Sequence, residues 1–225
     1  MNEESVTNST ALKLIDAAAH LFMQRGYRAV SISDILRAAK VTKPTLYYYF
    51  PDKEELYVQM CLRVTERMGA ELRAAREQPL PIEERLSQLA AVLLRTPDMD
   101  MGLMFHEMEE HLNPTNQRRL GQAFHNHVFA QIEQVMREEH STGALGSQSP
   151  AALTWIFLRL ALAFHHEPQR QNEQAGFDLS EMNMPPAQFV ALLLRGVTGL
   201  QEHLPESIGK LSQHRDQRPT ANDES

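Results

Sequence analysis

The chain has 225 residues and a formal net charge of −7, which comes from 22 basic and 29 acidic side chains. Its content of 42% hydrophobic and 23% charged residues is typical of globular proteins and excludes wholesale disorder. The acidic total excludes a general polycationic coat for nucleic acid, because such a protein needs surplus lysine and arginine to neutralise phosphates.

Three absences narrow the class of protein further. The single cysteine, Cys61, excludes an internal disulfide framework and a cysteine-rich zinc module. The N-terminal Met-Asn-Glu-Glu is acidic and lacks an apolar segment, so we expect no secretory signal. The longest apolar run, residues 151–164, is shorter than the roughly 20 residues that a membrane-spanning helix needs. We therefore expect a cytoplasmic protein with no membrane partner.

Hydrophobic residues recur at helical spacing along nearly the whole chain, and no stretch shows the sustained alternation of a β-strand. We therefore predict an all-α protein. A first helix over residues 10–25 is indicated by one apolar stripe, formed by Leu14, Ile15, Ala18, Leu21 and Phe22. Gly26 follows at the place where a left-handed residue would end this helix. The polar residues 1–9 are predicted to be a flexible N-terminus.

Local signals mark the next two helices. Ser31 and Asp34 have the spacing of a capping box, so they predict a second helix that begins at Ser31. A break near residue 40 precedes a third helix, which begins at Thr42 and ends at Phe50. Pro44 lies in the first turn of this third helix, where a missing backbone N–H costs nothing.

A fourth helix is predicted to begin at Asp52 and to continue to about residue 77. Prolines separate the later segments, which predict helices at about 82–95, 98–112, 115–140, 150–167 and 185–203. Residues 168–184 are expected to form a loop, and residues 205–225 a disordered tail. We expect an N-terminal three-helix domain over residues 10–57 and a larger helical domain over residues 58–204.

Residues 31–50 have the organisation of a helix-turn-helix, in which a tight turn joins two short helices. Leu46 and Phe50 lie four residues apart, so they share one face and are expected to pack against the first two helices. The three consecutive tyrosines 47–49 cannot all enter the core of so short a helix. One or two of them must point outward, where a phenol can bond a phosphate or stack on a base.

Charge is distributed unevenly along the chain. Residues 10–53 contain seven basic and three acidic side chains, which gives a local net charge of +4. The rest of the chain therefore carries −11. This asymmetry predicts that the N-terminal part meets an anion, while the remainder does not.

The same N-terminal residues carry a resemblance to a known family. The chain resembles the DNA-binding domain of the tetracycline-repressor (TetR/AcrR) family in the order and content of five short sequence segments. These segments are residues 14–22, 25–27, 31–35, 38–50 and 52–56. The resemblance covers about residues 10–57, and the remainder is similar to the family only in its helical pattern and length. It implies a homodimeric transcriptional regulator, usually a repressor, that a small effector releases from palindromic double-stranded DNA. It also implies a protein without catalytic residues or a cofactor.

The resemblance further implies which side chains contact DNA. Most lie in the third helix and in the turn before it, and the set is Ser31, Ser33, Lys40, Thr42, Lys43, Thr45, Tyr47, Tyr48, Tyr49 and Lys53. Ser31 and Ser33 are at a helix N-terminus, whose N–H groups and dipole attract phosphate. Tyr49 stands where the family often has His. Lys40 stands where the family usually has Gly, and a left-handed conformation there costs a non-glycine residue about 1 kcal/mol.

The larger domain offers candidates for a dimer interface and for an effector pocket. Helices at about 150–167 and 185–203 are strongly apolar, so they form either a four-helix bundle with a second subunit or the core of one subunit. The need for two recognition helices on a palindrome favours the dimer. Methionines at helical spacing favour either an adaptable apolar pocket or an ordinary core stripe. The predicted pocket consists of Met101, Met104, Phe105, Met108, His111, Phe124 and Trp155.

Two other classes of protein stay open at this point. His106 with Glu110, and Glu107 with His111, lie four residues apart and could bind a divalent ion in a helical metal-dependent hydrolase. The metalloprotease pattern needs two histidines four residues apart, whereas His106 and His111 are five apart. His/Glu pairs four residues apart more often form solvated helix contacts, so we expect no metal site. The third class is a helical adaptor that binds only protein.

Overall fold

The computed structural model describes residues 3–94, 101–141, 148–164 and 185–203, and within these ranges the chain is helical without strands. The all-α prediction is therefore confirmed. The helices are α1 (Glu3–Ala29), α2 (Ile32–Ala39), α3 (Lys43–Tyr49), α4 (Lys53–Arg76), α5 (Ile82–Leu94), α6 (Met101–His111), α7 (Pro114–Phe124), α8 (Ala130–Ser141), α9 (Pro150–Phe164) and α10 (Pro186–His203). A π-helical turn, His125–Phe129, joins α7 to α8.

Helix α1 is longer than predicted, because it begins at Glu3 rather than near residue 10. The predicted end at Gly26 is a kink, with φ of 78° and ψ of 162°, after which a last short turn reaches Ala29. This backbone conformation is extended rather than left-handed helical, and it is open essentially to glycine alone. The sequence signal at Gly26 therefore marked the right residue but the wrong conformation.

Helices α2 and α3 begin as the sequence predicts. The Ser31 hydroxyl accepts from the Asp34 N–H, while the Asp34 carboxylate accepts from the Ser31 N–H at 3.0 Å, which completes the capping box. Thr42 caps α3, and Pro44 lies in its first turn. Between the two helices Lys40 has φ of 54° and ψ of 45°, the left-handed conformation that the turn requires.

Helix α4 connects the N-terminal helices to the rest of the molecule. It begins at the Asp52 cap and passes without a break through the predicted boundary at residues 57–58. Its buried residues include Tyr57, whose ring meets the Phe22 ring edge-on at a centroid distance of 5.2 Å, and Cys61. Burial raises the pKa of the Cys61 thiol to about 12.

Helices α5 to α10 build the larger C-terminal domain around α4. Helix α5 packs against both α9 and α10, and α8 packs against α9. The sequence predicted one helix over residues 115–140, but the structure inserts a π-turn between α7 and α8. This turn packs on α4 at Gly69, where an added Cβ would lie 2.7 Å from the His127 carbonyl oxygen.

Helix α9 is buried on one face only, contrary to the expectation of burial on several sides. Leu153, Phe157 and Ala161 are buried, whereas Trp155 and Ile156 are about half exposed. None of the helices in the described ranges is both long and apolar enough to cross a membrane. The predicted loop 168–184 and the predicted tail 205–225 lie outside the described residues.

Candidate nucleic-acid interface

Helix α3 is fixed to the N-terminal core by its apolar face. Leu46 is fully buried and Phe50 nearly so, together with Ile35 of α2 and Leu14 of α1. Because this face is occupied, the residues between Leu46 and Phe50 have to turn toward solvent or along the surface. The predicted anchoring role of Leu46 and Phe50 is confirmed by this burial.

The outward face of α3 presents aromatic and basic groups. Tyr48 is 76% exposed and Tyr47 44% exposed, which is unusual for large aromatic side chains. The Lys43 ammonium lies 5.9 Å from the centroid of the Tyr47 ring. Oγ1 of Thr42 and Oγ1 of Thr45 are 2.7 Å apart, so the two hydroxyls form one polar pair at the start of the helix. This face can donate to phosphates and stack on bases.

Three of the predicted DNA-binding residues, Thr45, Tyr49 and Lys53, are less accessible than expected. Tyr49 is half-buried, and its ring packs edge-on against Tyr48 at 4.9 Å. Lys53 is also half-buried, because its ammonium lies over the Tyr27 ring at 4.2 Å from the centroid. Burial lowers the pKa of Lys53 below its ordinary value. Lys53 therefore has a partner within the protein, and a phosphate contact would compete with that ring.

The N-terminus of α2 and the turn complete the predicted set. Ser31, Ser33 and Lys40 are exposed. The Ser31 hydroxyl donates to the Asp34 carboxylate at 2.6 Å, and hydrogen bonds from Ser31 hold the pKa of Asp34 below its usual range. An anionic carboxylate therefore already occupies this helix N-terminus, which favours Ser33 over Ser31 as a phosphate contact.

The predicted effector residues do not form one group. Met104 and Phe124 are buried, and Phe105 meets Phe124 edge-on at 5.0 Å, with Met108 half-buried on the same helix as Phe105. The Trp155 ring instead packs beside Phe129 on the exposed face of α9. The side chain of Met101 lies outside the described residues.

His111 also departs from the predicted pocket. Its ring stacks on Tyr27 of α1 at 5.9 Å, and its Nε2 atom is 3.2 Å from Oε2 of Glu107. The metal-hydrolase alternative has no support here, since the described residues bring together no group of three or more His, Cys, Asp or Glu side chains that could hold an ion.

Sequence reasoning missed the polar contacts between the two domains. Oε1 of Glu54 accepts from the N–H and the side-chain amide of Asn113 and from the amide of Asn116, at 2.7 to 2.9 Å. Glu55 pairs with Arg119 at 2.8 Å, and Glu107 accepts from the Tyr27 N–H at 3.1 Å. The partners are far apart in the sequence, so no local spacing reveals them.

The fold and this surface together define the class of protein. A capped second helix, a left-handed turn and a short helix with exposed tyrosines form the helix-turn-helix of a DNA-binding protein. The family profile described as "Bacterial regulatory proteins, tetR family" matches residues 14–60.

Known proteins are similar over most of the chain. An uncharacterized HTH-type transcriptional regulator, YhgD of Bacillus subtilis (strain 168), is 22% identical over 160 residues, which are 71% of this chain and 84% of that protein. A tetR-family regulatory protein from Rhodococcus RHA1 has the same fold, with a TM-score of 0.67 and 16% identity over 84% of this chain and 96% of the other. The structure of AibR in complex with isovaleryl coenzyme A and operator DNA gives a TM-score of 0.63 and 16% identity, and covers 84% of this chain and 97% of that one.

Residues 14–60 therefore carry the DNA-binding domain of the tetR family of bacterial regulatory proteins, and the described helices share the fold of solved tetR-family proteins. The helix-turn-helix domain and the similarity to HTH-type regulators support a DNA-binding transcriptional regulator rather than an enzyme.

Proposed function

We propose that the protein is a homodimeric repressor, which binds a palindromic operator and is released from it by a small apolar effector. One observation carries this proposal. The exposed large hydrophobic side chains of the described residues fall on two surfaces, the outward face of α3 and the outer faces of α9 and α10. A regulator of this kind needs one surface for DNA and one for its second copy. It works beside the chromosome, so the cytoplasm stays the expected compartment.

The DNA contacts are proposed to centre on α3. Tyr48 and Tyr47 would meet the DNA backbone and base edges, and Thr42, Lys43 and Thr45 would approach the groove from the start of the helix. Ser33 and Lys40 would add phosphate contacts from α2 and the turn. Ser31, Tyr49 and Lys53 stay in the proposed set, with smaller contributions because each already has a partner in the protein.

The dimer interface is proposed to use α9 and α10. Trp155, Ile156 and Leu160 lie at helical spacing on one exposed face of α9, and Leu192 is 57% exposed on α10. Apolar side chains of this size are usually covered when they cluster on one face. Paired with a second copy, the two helices would give a four-helix bundle and place two copies of α3 on one palindrome.

The effector is proposed to be small and apolar. Met104, Phe105, Met108 and Phe124 form an apolar group between α6 and α7, and methionine adapts its shape to varied ligands. The AibR structure supports a small-molecule effector for this fold, since that protein is in complex with both isovaleryl coenzyme A and operator DNA. His111 and Trp155 are not part of this apolar group.

The test begins with selection of duplexes from a random library by the wild-type protein. Fluorescence anisotropy then compares binding of the selected duplex by the wild type, Tyr48→Ala and Lys43→Ala at several salt concentrations. We expect each substitution to weaken binding by about tenfold, and Lys43→Ala to reduce the salt dependence as well, because it removes one cation from the phosphates.

Arg67→Ala is the matched control, since Arg67 is an exposed cation of α4 far along the chain from α3. It should leave the affinity unchanged. Enrichment of no sequence by the wild type would contradict the proposal and would favour the protein-binding adaptor instead.

A further inference from the structure

We propose that Glu107 is a positioning residue for DNA binding: from α6 of the C-terminal domain it holds the backbone at the kink of α1 and so fixes the orientation of the helix-turn-helix domain. This inference rests on the proposed function, because orientation matters only when two recognition helices must match one operator. It concerns a residue that touches neither DNA nor effector in that proposal.

The contact is a buried hydrogen bond between the two domains. Glu107 is only 7% exposed, and its Oε1 atom accepts from the backbone N–H of Tyr27 at 3.1 Å. The two residues are 80 positions apart in the sequence. Burying a carboxylate is costly unless hydrogen bonds and charges compensate it, so this side chain has a strong preference for the position where its donor is.

Gly26 makes the approach of this carboxylate possible. An added Cβ at Gly26 would lie 2.8 Å from Oε1 of Glu107, closer than a Cβ atom tolerates. The φ of 78° at Gly26 also turns the Tyr27 N–H away from the regular helical pattern of α1. The kink and the carboxylate are therefore complementary, since the kink provides a free donor and the space beside it.

Side chains of α6 and α4 pack against the Tyr27 ring. Its ring stacks on His111 of α6 at 5.9 Å and meets Tyr57 of α4 edge-on at 5.0 Å. The Lys53 ammonium, at the start of α4, lies over the same ring at 4.2 Å. Burial and the nearby carboxylates raise the pKa of the Tyr27 phenol to about 12, so the ring stays neutral beside Glu107.

The second oxygen of Glu107, Oε2, makes no hydrogen bond within the described residues. The Nε2 atom of His111 lies 3.2 Å from it. The hydrogen bond to Tyr27 is therefore the main directional contact of this carboxylate. If α6 moves relative to α1, the hydrogen bond between Glu107 and Tyr27 breaks. Tyr27 is then no longer held in place, and neither is Lys53 at the start of α4, which contacts its ring.

The first measurement needs no DNA. Glu107→Met keeps the length of the side chain but removes the acceptor, and we expect amide hydrogen exchange at Tyr27 to accelerate about tenfold or more in this variant. Glu107→Gln keeps an acceptor oxygen and should restore slow exchange. Glu110→Met, which changes an exposed acid on the same helix, should leave exchange at Tyr27 unchanged.

The second measurement uses the selected duplex with its half-sites moved apart or together by one or two base pairs. A fixed orientation gives a sharp preference for one spacing, so Glu107→Met should reduce that preference by about tenfold, whereas Glu107→Gln and Glu110→Met should keep it. A merely structural role would lower stability and affinity for all spacings alike.

The outcomes separate the two proposals. Unchanged exchange at Tyr27 in Glu107→Met, or faster exchange with an unaltered spacing preference, would overturn the positioning role while specific DNA binding stands. A wild-type protein that selects no duplex would overturn the proposed function and the positioning role with it.

Discussion

Lys40 combines a backbone cost with an exposed charge. It holds the left-handed conformation in the turn between α2 and α3, and it is the non-glycine residue with positive φ among the described residues. A residue with a Cβ pays about 1 to 2 kcal/mol for this conformation. The same side chain carries a proposed phosphate contact. Stability and DNA affinity therefore place opposite demands on this position.

We expect Lys40→Gly to raise the free energy of unfolding by about 0.5 to 1 kcal/mol, because the relief of strain exceeds the added entropy of the unfolded chain. The same variant should bind the operator more weakly, since it lacks the ammonium. Urea unfolding and fluorescence anisotropy measure the two effects. Lys40→Ala is the control, and it should lose affinity without gaining stability. Equal stability of the two variants would contradict the argument from strain.

At the scale of single residues, the sequence predicts what is decided within a few positions. Ser31 with Asp34, and Thr42 ahead of Pro44, form their predicted caps because each donor and acceptor lie within one helical turn. Glu107 could not be recognised in this way. Its partner is the backbone of Tyr27, which carries no signal in the sequence, and only the folded chain brings the two together.

The first turn of α4 is the element that ties the two domains together. Lys53 lies over the Tyr27 ring of α1. Glu54 accepts a hydrogen bond from the side-chain amide of Asn113, the N-cap residue of α7. Glu55 forms an ion pair with Arg119 of α7. Three successive side chains thus connect the helix that follows α3 to α1 and to α7. The hydrogen bond from Arg119, followed by that from Gln59, holds the pKa of Glu55 below its ordinary value.

The lowered pKa of Glu55 predicts a pH-dependent stability. The carboxylate is stabilised in the folded state, so its contribution is complete above the ordinary pKa of glutamate and is lost as pH falls through the lower folded value. We expect Glu55→Gln to cost about 1 kcal/mol near neutral pH and to approach wild-type stability in acid. Thermal unfolding between pH 8 and pH 3 measures the difference.

Glu66→Gln provides the comparison for this experiment, because Glu66 is an exposed acid of the same helix. Its melting temperature should follow the wild type at every pH. A constant gap between Glu55→Gln and the wild type across the whole pH range would show that the pairing with Arg119 does not depend on the charge of Glu55.

At the scale of elements, helix positions were largely predictable, but their irregularities were not. Proline breaks and caps located the helices because these signals are local. The π-turn His125–Phe129 interrupts a stretch whose periodicity predicts one helix. The π-turn packs against α4 at Gly69, where there is no side chain to obstruct the backbone of His127. The irregularity therefore coincides with a contact between helices that are distant in the sequence. The exposure of one face of α9 was missed for a related reason, since composition gives the apolar content of a helix but not the number of its neighbours.

The whole molecule has an apolar face on α9 and α10 that the proposed dimer would cover. We expect Leu192→Glu to raise the dimer dissociation constant by about a hundredfold, because an isologous interface contains two copies of each substitution. The fold of the subunit should be unaffected, since Leu192 is 57% exposed. Sedimentation velocity measures the dissociation, and operator affinity should fall with it.

Ala70→Glu introduces the same charge at an exposed position of α4 and should leave the oligomeric state unchanged. A monomeric wild type, or a dimer that survives Leu192→Glu intact, would contradict the use of this face.

Cys61 is the single cysteine of the chain and is buried, which has a practical consequence for these experiments. Its thiol is fully buried in α4, and its raised pKa keeps it protonated at neutral pH. Alkylating reagents should therefore not react with it in the native protein. Since the chain contains no other cysteine, one engineered on the surface would be the single reactive handle. Fluorophores or spin labels could then report on the domains without any change to the native core.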